Sequence, residues 1–112
     1  MSETELLRTL VKDARSRIVG FAQLLLRTPR LSGQEEQVAQ LVQSEMQALG
    51  YAETRVDEVG NVIGTLAGGH GRTTLLHAHM DVVDPGEASR WRYGPFSGQI
   101  EGGYLWGRGA SD

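Results

Sequence analysis

The chain has 112 residues, of which 39% are apolar and 22% are charged, and its net charge is −3 at pH 7. This composition fits one small domain or a piece of a larger one, and the interleaved charges argue against a basic patch that binds nucleic acid. No apolar stretch approaches the roughly 20 residues that cross a bilayer, and the acidic start lacks a signal peptide, so we expect a cytoplasmic protein that binds no membrane.

Two helices are predicted in the first half of the chain. The first spans about Glu3–Leu26, where apolar residues recur at helical spacing, and Ser2 and Glu5 stand in capping-box relation at its start. Residues 32–35, with the sequence SGQE, indicate a second capping box, which opens a helix ending near Leu49. Both helices are expected to cover a sheet with their apolar faces.

The second half is richer in glycine and is predicted to form strands. Residues 55–59 and 62–66 indicate one hairpin, and residues 99–101 and 104–106 indicate another. Residues 73–79 are predicted to form a buried strand, because a strand covered on both faces is nearly all apolar. Two helices followed by a mixed sheet give an α/β fold class.

The predicted buried strand leads into LLHAHMDVV at residues 75–83. On a strand, alternate side chains share a face, so His79 and Asp81 would project together, and a carboxylate in that position orients a metal-binding imidazole. A lone histidine is more often a packed or surface residue, but the carboxyl end of a strand favours a metal role here. His77 lies one step deeper and is expected to be hydrogen-bonded within the fold, whereas His70, in a glycine loop, is expected to be solvated.

The chain reaches Asp112 through the glycine-punctuated sequence GRGAS. Glycine lets the backbone approach an ion closely, so Asp112 is a second candidate ligand, placed to bridge a metal pair. With no cysteine in the chain, any metal is held by histidine and carboxylate, which favours zinc, cobalt or manganese. A glycine-rich loop also suits phosphate, but the lysine of a P-loop is missing.

Taken in order, these segments resemble the dinuclear zinc metallopeptidase and deacylase family, which includes acetylornithine deacetylase, succinyl-diaminopimelate desuccinylase, aminoacylase and glutamate carboxypeptidase. The sequence TPRLSGQE at residues 28–35 is similar to the family's opening element. It is followed by HMDVV at residues 79–83, Trp91, PFSG at residues 95–98 and GRGASD at residues 107–112. Each motif is weak alone, and their ordered combination carries the resemblance.

The resemblance implies roles for three residues: His79 binds one metal ion, Asp81 is the catalytic residue that orients this histidine, and Asp112 bridges two ions. The ions are expected to be zinc, with cobalt or manganese as alternatives. Residues 1–112 would then be the amino-terminal portion of a zinc-exopeptidase-like α/β/α catalytic domain. The remaining ligands, the general base and the dimerisation domain of the family come later in the sequence.

By the same resemblance, the intact protein would be a hydrolase, with a homodimer as the expected assembly. It would cleave an amide bond of a small peptide or N-acyl amino acid by metal-activated water, and the 112-residue chain alone would be inactive. Asp84 and Gly94 depart from the family pattern beside the metal strand and bear on substrate preference. Two alternatives stay open: a non-catalytic binding module with at most a weak metal site and, far behind, a nucleotide-binding α/β domain.

Overall fold

The computed structural model describes all 112 residues, which divide into two compact units. One unit comprises residues 1–27 and 87–111, and the other comprises residues 28–86 together with Asp112. The elements in chain order are α1 (Glu3–Leu26), α2 (Glu36–Ala48), β1 (Glu53–Val56), β2 (Val62–Thr65), the 3₁₀ turn Ala88–Arg90, β3 (Gln99–Glu101) and β4 (Tyr104–Trp106).

The fold class is α/β, as predicted, but the strands do not form one mixed sheet. They form two separate two-stranded sheets, β1–β2 and β3–β4, and both pairs are antiparallel. No further strand pairs with either hairpin, and the isolated parallel bridge between Leu31 and Val82 lies outside both sheets. Neither α-helix is long and apolar enough to cross a membrane.

Helix α1 begins with the predicted capping box, which is confirmed. The Ser2 hydroxyl accepts a hydrogen bond from the Glu5 backbone N–H at 3.2 Å, and the Glu5 carboxylate accepts from the Ser2 backbone N–H at 2.7 Å. Two of the unpaired amide groups at the helix start are satisfied in this way. The helix ends with Arg27 as its C-cap, just before a proline-containing segment that cannot continue it.

The carboxyl-terminal end of α1 packs against the turn that precedes β3. The Gln23 side-chain amide donates to the Gly98 carbonyl at 2.9 Å, and the Arg27 Nε–H donates to the Ser97 carbonyl at 3.0 Å. The β3–β4 hairpin then follows with the predicted bounds, and its turn glycines, Gly102 and Gly103, have φ values of 62° and 81°. Positive φ at both central positions is the geometry of a two-residue hairpin turn.

Replacing Gly98 by alanine is expected to destabilise the protein by about 1–3 kcal/mol, because a β-carbon there would be overpacked. Gly98 has φ of 57°, and an added Cβ would lie 3.0 Å from the Gln23 carbonyl oxygen and 3.1 Å from Arg27 Cγ. Urea denaturation followed by circular dichroism measures the change. Gly20→Ala is the control, since nothing lies within 4 Å of its added Cβ and alanine favours the helix. Equal effects of both variants would contradict the packing described.

Helix α2 starts at Glu36, and the predicted capping box at residues 32–35 is wrong. Its N-cap is Glu35, which makes no side-chain capping bond. Residues 31–34 form a turn instead, closed by the Gln34 N–H on the Leu31 carbonyl at 2.8 Å, with φ of 81° at Gly33. This turn places Ser32 too far ahead of the first helical residue to cap it, because a cap bonds only two or three residues onward.

The β1–β2 hairpin differs from the prediction at residues 55–59 and 62–66. Strand β1 begins two residues earlier, and it ends at Val56 because the turn begins at Asp57 rather than at Gly60. The Asp57 carboxylate accepts from the backbone N–H groups of Val59 at 3.1 Å and Asn61 at 2.8 Å, and from the Asn61 side-chain amide at 2.9 Å. Such side-chain bonds to nearby amides compete with strand pairing. Helix α2 contacts both strands, and the buried apolar residues of this unit are Val38, Ala39 and Val82.

The buried strand predicted at residues 73–79 does not form. These residues have no regular secondary structure and are all exposed, with Leu75 at 86% and Leu76 at 90% exposure. A central strand needs neighbours on both edges to satisfy its N–H and C=O groups, and no described segment pairs with this one. Pairing begins further on, where Val82 makes an isolated parallel bridge with Leu31.

Candidate metal centre

The segment that carries the candidate ligands is anchored at Val82, one residue beyond Asp81. The Val82 N–H donates to the Arg30 carbonyl at 3.0 Å, and the side chains of Val82 and Arg30 are buried, at 6% and 7% exposure. The backbone before Val82 has no regular secondary structure. This anchor therefore holds Asp81 and His79 beside residues 30–32 without a regular strand.

The structure brings the His79 ring and Asp81 together. Nδ1 of His79 lies 3.0 Å from the Asp81 backbone carbonyl and 3.3 Å from Asp81 Oδ1. Both neighbours of Nδ1 are acceptors, so they favour the tautomer with the proton on Nδ1 and the lone pair on Nε2. A metal binds this lone pair while the carboxylate orients the ring. The pair meets as expected, although the predicted strand that was to align it is absent.

Asp112 lies on the other side of the same ring. Its Oδ1 is 3.6 Å from Nε2 of His79. The cluster is open to solvent, with side-chain exposures of 53% for His79, 36% for Asp81 and 95% for Asp112. The three candidate residues named from the sequence thus form one group, with Asp81 at Nδ1 and Asp112 at Nε2.

The electrostatics of the group raise the proton affinity of the His79 ring and favour an ionised Asp81. The pKa of His79 is raised, first by the backbone carbonyl of Asp81 and then by the hydrogen bond and charge of Asp112. The pKa of Asp81 is lowered, first by the hydrogen bond from the Ser32 hydroxyl, with a further contribution from His79. Asp81 is therefore a carboxylate at neutral pH, as an orienting partner of a histidine must be.

The donor types and their spacing fit part of a divalent metal site. An imidazole nitrogen and a carboxylate oxygen are ordinary ligands of zinc, cobalt and manganese. Two donors on one tetrahedral zinc ion lie about 3.4 Å apart, close to the 3.6 Å between Nε2 of His79 and Oδ1 of Asp112. No group of three or more His, Asp or Glu side chains in the chain is arranged to hold an ion together. The 112 residues therefore supply two donors and one orienting carboxylate.

The structure also tests the positions predicted for His77 and His70, and it shows a contact of Ser32 that the sequence did not predict. His77 and His70 are both exposed and lie outside the cluster, so the hydrogen-bonded position predicted for His77 is wrong, whereas His70 is solvated as expected. Ser32, in contrast, donates a hydrogen bond to Asp81 Oδ2. No sequence signal marked this contact, because the spacing of Ser32 and Glu35 indicated a helix cap.

Comparison with known proteins identifies a family whose model matches the segment that contains this cluster. Residues 75–112 match the model of Peptidase family M20/M25/M40. Succinyl-diaminopimelate desuccinylase of Dinoroseobacter shibae is 37% identical over 91 residues, an alignment that covers 79% of this chain and 24% of that protein. The chain thus spans about a quarter of the length of this curated relative. The family resemblance seen in the sequence is confirmed over residues 75–112, the part of the chain that matches the model of this family.

Proposed function

We propose that residues 1–112 are the amino-terminal portion of the catalytic domain of a metal-dependent hydrolase. The observation that supports this most directly is the approach of Nε2 of His79 to Oδ1 of Asp112, at 3.6 Å, with Asp81 behind the ring. The match of residues 75–112 to the family model supports the reaction class. The name of the desuccinylase relative supports an N-acyl amino acid as substrate, within the broader class of small peptides and acyl amino acids.

In this proposal each residue of the cluster has one task. His79 and Asp112 would hold divalent ions, most simply zinc, and Asp81 would keep the His79 ring turned with Nε2 outward. A divalent ion supplies Lewis acidity, which polarises an amide carbonyl and lowers the pKa of water. Hydrolysis adds one water across the C–N bond and releases a carboxylate and an amine. The proton-transferring glutamate is expected in sequence beyond residue 112, and the cytoplasmic location and homodimer also stay predictions.

A non-catalytic binding module is the second candidate. It is favoured by the two-donor count and by the exposure of the cluster, since catalytic zinc sites hold three protein ligands. The gene sequence after the codon for Asp112 separates the two candidates. An adjacent Glu-Glu pair and a later histidine would support the hydrolase, whereas a full-length gene without them would support the binding module.

The purified 112-residue chain is expected to show no metal-dependent amide hydrolysis, because it contributes two donors and no general base. Amine release from N-succinyl-diaminopimelate and from N-acetyl amino acids, with added Zn²⁺ or Co²⁺, is the measurement. The Dinoroseobacter shibae desuccinylase, assayed in parallel, is the positive control. Hydrolysis by the 112-residue chain that a chelator abolishes would show that the proposed division of the catalytic site is wrong.

A further inference from the structure

We propose that Ser32 is a positioning residue of the candidate metal centre, a role that rests on the proposed function. Its hydroxyl donates to Asp81 Oδ2, while the other oxygen of the same carboxylate, Oδ1, faces Nδ1 of His79 at 3.3 Å. The side chains therefore form a relay of contacts from Ser32 through Asp81 to His79. Ser32 acts through Asp81 and touches neither the metal-binding nitrogen nor Asp112.

The geometry explains why a hydroxyl in this position matters. The terminal torsion of an aspartate is broad, so a carboxylate held by one contact alone can rotate. A bond on Oδ2 fixes the plane of the carboxylate and with it the position of Oδ1. Because Oδ1 and the Asp81 carbonyl are the acceptors near Nδ1 of His79, holding Oδ1 also helps to hold the ring and its tautomer.

The backbone around Ser32 is itself held in place next to Asp81. Leu31 bridges to Val82, and the Arg30 carbonyl accepts from the Val82 N–H at 3.0 Å, so residues on both sides of this contact are paired. On the far side of Ser32, the Gly33 N–H donates to the Glu35 carboxylate at 2.9 Å. Backbone pairing alone holds residues 30–31 beside Val82. This reduces the conformational entropy that is lost when the hydrogen bond between Ser32 and Asp81 forms.

The usual explanation for a serine at this point in the sequence does not apply. The N-cap of α2 is Glu35, and the Ser32 hydroxyl bonds to Asp81 rather than to a helix amide. The SGQE sequence therefore ties the turn before α2 to the candidate metal centre. This contact joins residues 49 positions apart in the chain.

Removing the hydroxyl is expected to weaken metal binding while the fold is kept. We expect Ser32→Ala to lower the affinity for Co²⁺ by about 10–100-fold, the range typical of groups that orient a metal-binding histidine. Ser32→Thr, which keeps the hydroxyl, is expected to restore most of this loss. Titration calorimetry and the visible absorption of bound Co²⁺ are the measurements. Ser44→Ala, an exposed serine on α2, is the matched control and should not change the affinity.

A second measurement needs no metal. Long-range ¹H–¹⁵N NMR of the imidazole groups reports which ring nitrogen carries the proton of the neutral ring. The spectra are recorded above the pH at which the imidazolium loses one of its two N–H protons. In the parent protein we expect the His79 proton on Nδ1, and in Ser32→Ala we expect a larger fraction with the proton on Nε2. A purely structural role for Ser32 would change the free energy of unfolding without shifting this tautomer ratio.

The outcomes separate the role of Ser32 from the proposed function. If His79→Ala abolishes Co²⁺ binding while Ser32→Ala changes neither the affinity nor the tautomer ratio, Ser32 has no positioning role and the proposed function stands. If the parent protein binds no Co²⁺ but Ser32→Ala shifts the tautomer ratio, the contact relay stands and the metal centre of the proposed function fails. If Ser32→Ala and Ser32→Thr lose affinity equally, the hydroxyl is not responsible and the inference is overturned.

Discussion

Replacing His79 by alanine is expected to lower the affinity of the protein for Zn²⁺ or Co²⁺ by at least about 100-fold, more than the 10–100-fold typical of groups that only orient a ligand. The physical reason is the loss of the Nε2 lone pair, which the acceptors around Nδ1 leave facing Asp112 Oδ1 at 3.6 Å. With that nitrogen removed, the carboxylate of Asp112 remains alone and 95% exposed. Titration calorimetry with each metal measures the loss.

His77→Ala is the matched control for this experiment. His77 lies two residues away in the same segment, is exposed and is outside the cluster. Its removal should change the affinity less than about 2-fold, in line with the small effects of surface substitutions. Asp112→Asn should lower the affinity as well, and the double variant with His79→Ala should be little worse than the worse single variant, since the two donors share one site. Equal losses in His77→Ala and His79→Ala would contradict the assignment.

How much of this site is predictable from sequence depends on the range of each contact. His79 and Asp81 are two residues apart, so almost any extended backbone brings them together, and their contact survives the absence of the predicted strand. The approach of Asp112 to His79 spans a long excursion of the chain, and no local pattern encodes it. The glycine-rich loop indicated Asp112 as a candidate ligand, and the family resemblance implied that it shares a metal centre with His79. The Ser32–Asp81 bond has no local signal at all.

The same distinction between contacts that are local and contacts that are distant in sequence applies to the secondary structure. Helix α1 and the β3–β4 hairpin depend on neighbouring residues, through a capping box in one case and a glycine turn in the other, and both have the predicted bounds. The strand expected at residues 73–79 depends on pairing partners elsewhere, which the apolar pattern of the segment cannot specify. Its apolar side chains are consequently exposed. The elements that depend on neighbouring residues were predicted correctly. The strand that needs pairing partners distant in the sequence was not.

The same distinction applies to burial along α1, whose apolar face was expected to cover a sheet. The helix is amphipathic in sequence, yet its only buried residue is Leu26, at 3% exposure. In contrast, six large apolar residues of the helix are exposed: Leu6, Leu7, Leu10, Val11, Ile18 and Leu24. Periodicity predicts which residues share a face, but the neighbour that covers the face is a tertiary property. A buried leucine and an exposed leucine on this helix are therefore expected to contribute very different amounts to the free energy of unfolding.

Leu26→Ala is expected to destabilise the protein by about 2–5 kcal/mol, the range for truncating a buried leucine. Leu26 packs at the end of α1 near Gly107, where an added Cβ would lie 3.5 Å from Leu26 Cδ1. Leu7→Ala is the same substitution on the same helix at 62% exposure, and it should stay within about 0.5 kcal/mol of the parent. Urea denaturation of both variants measures the difference. If Leu7→Ala cost as much as Leu26→Ala, the apolar face of α1 would be covered in solution, contrary to the exposure found in the structure.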